Sequence, residues 1–222
     1  MEIYPSLIES NLLNIEKTLN QFDQLANGYH LDIMDDHFVP NLTWGPMFIN
    51  AIVHATKRPL QIHLMVDKPA SWLDRLELRA SDTFMFHFEA TQDPFTIKNL
   101  IEKVRAKNWQ VGLVINPETQ THIILSYLSM LDTILIMTVL PGMSGQKFIN
   151  EITIKIAQIV EYKTKMKLPL MICVDGGINK ENINTLTKIG VNRCAIAHAI
   201  FSNKNPAQAI KSLIVSTQKG LL

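Results

Sequence analysis

Two histidines and two aspartates carry the most legible chemistry in this sequence. His30 and Asp32 sit in the run Tyr29–Met34, His63 in Leu60–Met65, and Asp175 at the end of Leu170–Asp175. These runs are short, apolar and aliphatic-rich, as strands are, and alternate side chains of a strand share a face. His30, Asp32 and Met34 then point one way and Leu31 and Ile33 the other, and His63 and Met65 repeat the pattern. Two imidazoles and two carboxylates converging on one point suit one divalent ion per subunit, Zn2+, Fe2+, Mn2+ or Co2+, with open positions for a substrate. Taken singly, a strand histidine has an ordinary explanation as a hydrogen-bonded core residue, and a strand-end aspartate as a cap for the next turn. Their joint occurrence at strand ends argues for one site.

For these side chains to meet, their strands must lie together with their C-terminal ends aligned. The expected strands are Ile3–Ser6, Tyr29–Met34, Leu60–Met65, Thr83–His87, Gln110–Ile115, Thr133–Met137, Leu170–Asp175 and Arg193–Ala197. Gly112 softens the boundary of the fifth. Expected helices span Leu12–Leu25, Pro46–Thr56, Pro69–Ala80, Pro94–Lys107, Glu118–Ser129, Glu151–Lys165, Lys180–Ile189 and Pro206–Thr217. In the first, Leu12, Ile15, Leu19, Phe22 and Leu25 recur at three- and four-residue steps. Alternating strands and helices over 222 residues point to an α/β fold, a single-domain (β/α)8 TIM barrel over residues 1–222. A doubly wound open sheet is the rival, but it usually has fewer strands, and no Gly-x-Gly-x-x-Gly follows the first strand.

In such a barrel, chemistry gathers where the strands end. There the sequence places Ser6, Asn116-Pro117, Gly142-Met143-Ser144-Gly145, Gly176-Gly177 and Ala197-His198. Glycine turns after the late strands let backbone N–H groups approach an anion, and such loops are the usual phosphate site of these barrels. Plain tight turning explains any single glycine pair equally well. Met34, Met65 and Met137 point to the same mouth, either as core filling or as a water-excluding, cavity-lining ceiling. His87 and Glu89 are placed to support the metal ligands from behind. His37, His54 and His122 receive no role.

The composition excludes several classes. Apolar residues make up 47% of the chain and charged residues 18%, enough apolar surface for a core. A net charge of +1 does not steer the protein toward nucleic acid or a membrane surface. No apolar run reaches the length of a membrane span, and the N-terminus lacks the pattern of a signal peptide. Cys173 and Cys194 lie in apolar runs, as buried reduced thiols of a cytoplasmic protein do.

The residues closely resemble the ribulose-phosphate 3-epimerase family. The matching segments are Pro5-Ser6-Leu7, His30 to Asp35, His37 to Asn41, His63-Leu64-Met65-Val66, Met137-Thr138-Val139 with Pro141-Gly142, Gly145-Gln146, and Val174-Asp175-Gly176-Gly177. The resemblance covers Ile3 to about Phe201. It implies a metal-dependent enzyme that inverts C3 of D-ribulose 5-phosphate to give D-xylulose 5-phosphate. Asp32 and Asp175 would be the two acid/base carboxylates, working through an enediolate, and His30, Asp32, His63 and Asp175 the metal ligands. Ser6, His63, Gly142, Met143, Ser144, Gly145, Asp175, Gly176 and Gly177 would meet the phosphorylated ketose, with Ala197 and His198 at its far end. The family is commonly homo-oligomeric. An allulose-6-phosphate 3-epimerase, or another ketose 3-epimerase, shares the motifs, and a non-catalytic sugar-phosphate-binding barrel is the remote alternative.

Ala197-His198 departs from the Gly-Ser usual in that family after the last strand. His198 either binds phosphate itself or crowds the pocket and shifts substrate preference. Retained phosphate binding is the expectation, because the other glycines are in place. Smaller departures are Met143-Ser144, where Phe-Gly is more usual, and Asp36, where Asn or Gly is.

Overall fold

A computed structural model describes residues 1–219; residues 220–222, the last of the expected 1–222 domain, lie outside the described residues. Eight strands are present: β1 Glu2–Pro5, β2 Tyr29–Met34, β3 Leu60–Met65, β4 Thr83–His87, β5 Gln110–Ile115, β6 Thr133–Met137, β7 Met171–Asp175 and β8 Arg193–Ile196. Consecutive strands from β2 to β8 pair in parallel, and β8 pairs with β1. A parallel bridge between Ser6 and His30 draws β1 to β2 and nearly closes the ring. The fold is a TIM barrel.

Among the described residues, seven α-helices surround it: α1 Ile15–Phe22, α2 Pro46–Ala55, α3 Pro94–Ala106, α4 Ile152–Met166, α5 Ile183–Ile189, α6 His198–Phe201 and α7 Pro206–Lys219. The start of α3 follows from sequence chemistry. Asp93 accepts the Thr96 N–H at 2.7 Å, and Pro94 occupies the first turn, where a missing N–H costs nothing. Outward-facing strand residues such as Leu31, Ile33, Ile62, Leu64, Ile134 and Ile172 are fully buried in the layer between strands and helices. Inside the barrel, Met85, Val114, Leu135, Met137, Val139 and Cys173 form a second apolar cluster. Gly112 is no interruption: it lies within β5, and a Cβ there would come within 2.6 Å of Met85 Cγ.

Two expected helices are not α-helical. Of Pro69–Ala80, only Pro69–Trp72 winds, as a 3₁₀ turn. The chain beyond is held by Asn50 on α2, whose amide donates to the Arg75 carbonyl and accepts the Glu77 N–H, both at 3.1 Å. Arg79 then ties that segment to Asp82 and to the carbonyls of Thr56 and Arg58. Of Glu118–Ser129, two 3₁₀ turns form, Thr121–Ile123 and Leu128–Met130. Thr119, Thr121, Ile123 and Ile124 are β-branched and weak helix formers, and Glu89 captures the Asn116 N–H and the Thr119 hydroxyl. Leu12–Asn14 also winds as a 3₁₀ turn before α1, α5 starts only at Ile183, and the short α6 was not expected.

Register positions the site. Asp32 on β2 lies beside His63 on β3, and Met137 on β6 beside Asp175 on β7. The two halves of the histidine–aspartate set, distant in the chain, therefore reach the same end of one barrel.

Candidate metal and active site

His30, Asp32, His63 and Asp175 each turn one ligand-type atom to a common point, all within 4.8 Å of one another. His30 Nε2 is 3.2 Å from Asp32 Oδ1 and 3.6 Å from Asp175 Oδ2. His63 Nδ1 is 3.0 Å from Asp32 Oδ1 and 3.5 Å from Asp175 Oδ2. The two ring nitrogens face each other at 3.2 Å. Donors about 2.0–2.2 Å from a common ion lie roughly 3.0–3.5 Å apart, so these spacings fit a small divalent cation. Nitrogen and carboxylate oxygen are the donor set such ions accept.

The electrostatics agree. Both imidazoles are fully buried. Burial opposes a charged ring, yet the Asp32 and Asp175 carboxylates raise His30 to about 9. Burial would also raise Asp32, but His30 and His63 hold it well below the usual carboxylate range. A field that draws positive charge onto a buried imidazole would hold a metal cation at the same place.

Above this cluster opens a cavity of about 640 Å3. Asp32, Asp175 and Ser6 lie at its floor, with Ser6 Oγ donating to Asp32 Oδ2. His63, expected to touch substrate as well as metal, is fully buried and does not line the cavity, nor does His30. Met34, Met65 and Met137 line it while almost completely buried, so the two explanations of these methionines coincide.

The far end is built from the loops after β6, β7 and β8. Gly142, Met143, Ser144 and Gly145 lie on one side, Gly176 and Gly177 on another, Ala197 and His198 on the third. Side-chain donors occupy the loop carbonyls. Gln146 Nε2 donates to Leu140 and Met143 at 2.6 and 2.8 Å, Asn41 Nδ2 to Gly142 at 2.9 Å, and Asn182 Nδ2 to Gly177 at 3.0 Å. Thr138 Oγ1 bonds the carbonyls of Asp175 and Gly176 at 2.8 and 2.5 Å. At Gly177, φ is +62° and a Cβ would come within 2.5 Å of the Phe148 nitrogen, so only glycine fits.

His198 is engaged at the rim. Its side chain is 64% exposed, and Nδ1 lies 3.0 Å from Glu9 Oε2. Glu9, just past β1, also accepts the Ser144 hydroxyl. One carboxylate thus bridges the loops after β6 and β8. Sequence reasoning missed Glu9, Lys147 and Asn182, all near this end, and quoted Gln146 only in the resemblance, with no role. Glu9 meets His198 189 residues along the chain, which local spacing does not mark, whereas Asn182 meets a carbonyl only 5 residues back. Sequence reasoning also missed Gln61, whose parity with His63 on β3 was a usable signal. Gln61 Oε1 lies 3.1 Å from His30 Nδ1. His87 stands behind His63, its Nε2 2.9 Å from His63 Nε2, and its Nδ1 lies 3.2 Å from Glu89 Oε2. Burial pushes His87 down to about 4, leaving it neutral.

A TIM barrel with a two-histidine, two-aspartate cluster that could hold a metal ion, under a glycine-rimmed cavity at its strand ends, defines a class of barrels with a candidate metal site. Within that class, the chain belongs to the ribulose-phosphate 3-epimerase family, whose sequence model matches residues 2–201. It is 30% identical over 215 residues to the ribulose-phosphate 3-epimerase of Bacillus subtilis, covering 96% of this chain and 98% of that one. It is 33% identical over 222 residues to the enzyme of that name from Schizosaccharomyces pombe, covering 98% and 94%. Among solved structures, KGPDC from Streptococcus mutans superposes with a TM-score of 0.72 at 11% identity, covering 98% of this chain and 97% of that one. This likeness bears on the fold alone.

Proposed function

We propose that the protein interconverts D-ribulose 5-phosphate and D-xylulose 5-phosphate by inverting C3. The observation that carries this reading is the placement of Asp32 and Asp175 on the cavity floor, against the same pair of imidazole nitrogens. Inversion next to a ketone needs a proton removed from one face of the carbon and another delivered to the opposite face. Two carboxyls flanking C3 do this when one is ionised and the other protonated. Asp32 is held ionised by His30 and His63 and takes the proton from one epimer; Asp175 delivers to the other face, and the roles exchange for the reverse reaction. His30, Asp32, His63 and Asp175 would hold the divalent ion, Zn2+, Fe2+, Mn2+ or Co2+, which when bound polarises the ketone and acidifies C3–H. Met34, Met65 and Met137 keep water from the planar enediolate between the two transfers.

The phosphate goes to the far end. With their carbonyls tied to Gln146, Asn41 and Asn182, the glycine loops are free to turn N–H groups to an anion, and Lys147 adds a positive charge at the cavity wall. The test is direct turnover. Metal-loaded protein mixed with ribulose 5-phosphate, allulose 6-phosphate or free ribulose is followed by NMR. Conversion of ribulose 5-phosphate well ahead of the other two supports the reading, faster conversion of allulose 6-phosphate replaces the substrate, and no conversion of any of them overturns it.

A further inference from the structure

The chain of contacts behind His63 fixes where its proton must sit. Glu89 accepts the Asn116 N–H at 2.8 Å and the Thr119 hydroxyl on one oxygen, and faces His87 Nδ1 at 3.2 Å with the other. A carboxylate surrounded by donors is ionised and can only accept, so His87 Nδ1 carries a hydrogen. In a neutral ring the other nitrogen is then a bare acceptor. His87 Nε2 is 2.9 Å from His63 Nε2, so His63 must donate there. When a cation displaces the hydrogen that His63 Nδ1 otherwise shares with Asp32 Oδ1 at 3.0 Å, the bared lone pair faces Asp32, Asp175 and His30 Nε2. The same logic holds at His30. Gln61 Nε2 donates to Cys173 Sγ at 3.4 Å, which turns Gln61 Oε1 to His30 Nδ1 at 3.1 Å. His30 Nδ1 is therefore the donor, so the hydrogen a cation displaces is the one on Nε2, which faces the same point.

We infer that Glu89, acting through His87, and Gln61 are positioning residues that preset the tautomers of His63 and His30, so that both rings offer bare nitrogens to one cation. The inference rests on the metal reading given above. Replacing Glu89 by Gln leaves an amide that cannot accept from every neighbour at once. If its NH2 meets His87 Nδ1, the His87 tautomer inverts, His63 inverts in turn, and a hydrogen occupies the nitrogen that should bind metal. Outer partners of this kind typically carry a 10–100-fold effect on metal affinity.

Two measurements test it. The first is Co2+ titration, read from the visible spectrum, on the wild-type full chain and on Glu89→Gln, with metal-free melting measured beside it. The expected result is one Co2+ per wild-type chain, and an affinity about 10–100-fold weaker in Glu89→Gln, titrated well below the variant's own metal-free melting temperature. Equal affinity in the variant overturns the inference and leaves the metal reading standing; a wild-type protein that binds no Co2+ removes the metal reading and the inference together. The second needs no variant. Histidine 15N spectra of the Zn2+-loaded wild type should show His63 protonated at Nε2 and His87 at Nδ1. The opposite pair of tautomers overturns the inference.

Discussion

Asp32 Oδ1 and Asp175 Oδ2 share the same two partners, His30 Nε2 at 3.2 and 3.6 Å and His63 Nδ1 at 3.0 and 3.5 Å. Their reach is similar and their surroundings are not. The Asp32 side chain is 7% exposed and takes a hydrogen bond from Ser6, whereas that of Asp175 is 15% exposed and begins the glycine turn. Two carboxyls in unlike settings around one point are what a reaction with two opposed proton carriers requires.

Removing the divalent ion should abolish turnover and lower the melting temperature, because a ligand that binds only the folded state stabilises it. Dialysis against a strong chelator, then addition of Zn2+, Fe2+, Mn2+ or Co2+ singly, is the check. Undiminished activity in verified metal-free protein would contradict the reading of the cluster.

The loop after β6 is expected to read phosphate through its backbone. At Gly145 φ is +77°, and an added Cβ would have only His198 Nδ1 nearby, at 3.9 Å. Gly145→Ala should therefore cost only about 1–2 kcal/mol from the left-handed backbone. It should also raise KM for ribulose 5-phosphate more than it lowers kcat. Free ribulose should be used about 10²–10⁴-fold less efficiently than its phosphate, the worth of two charge-assisted hydrogen bonds. Equal efficiency on both sugars would remove the phosphate site.

Glu9 and His198 form an exposed pair at the same rim, so breaking it should change stability by less than about 1 kcal/mol. The expected effect is on binding. His198→Ala leaves the Glu9 carboxylate without its imidazole partner at the phosphate end and should raise KM severalfold at constant kcat. Glu9→Gln in the same chain should restore it. A double variant as impaired as His198→Ala alone would show that Glu9 charge plays no part.

Both thiols should be inert in the folded protein. Burial pushes Cys173 up to about 11 and raises Cys194 further. Reaction with a thiol reagent at pH 8 should begin only on unfolding, as the thiolate is the reactive form. Rapid labelling of native protein would place one of them at the surface.

The parts of the fold legible in the sequence are those where neighbouring positions differ sharply in chemistry. His30, Asp32 and Met34 alternating with Leu31 and Ile33 mark a strand with a functional face, and the structure brings His30 and Asp32 together with His63 and Asp175. The segments 69–80 and 118–129 were misread for one shared reason. Trp72 and Leu76, and Ile124 and Leu128, are buried at four-residue spacing, which mimics a helix. The backbone of the first is instead held by Asn50, and the second is anchored at its start by Glu89 through the Asn116 N–H and the Thr119 hydroxyl, from other parts of the chain. Glu9 was silent for a similar reason. Its partner, His198, lies 189 residues away.

Solvent deuterium exchange at C3 tests the two-carboxylate account most directly. Metal-loaded wild-type protein in deuterium oxide with ribulose 5-phosphate should place deuterium at C3 of both epimers. Asp32→Asn and Asp175→Asn should each slow interconversion by about 10²–10⁴-fold, the range of one general acid or base. Near-normal epimerisation by either variant would contradict the account.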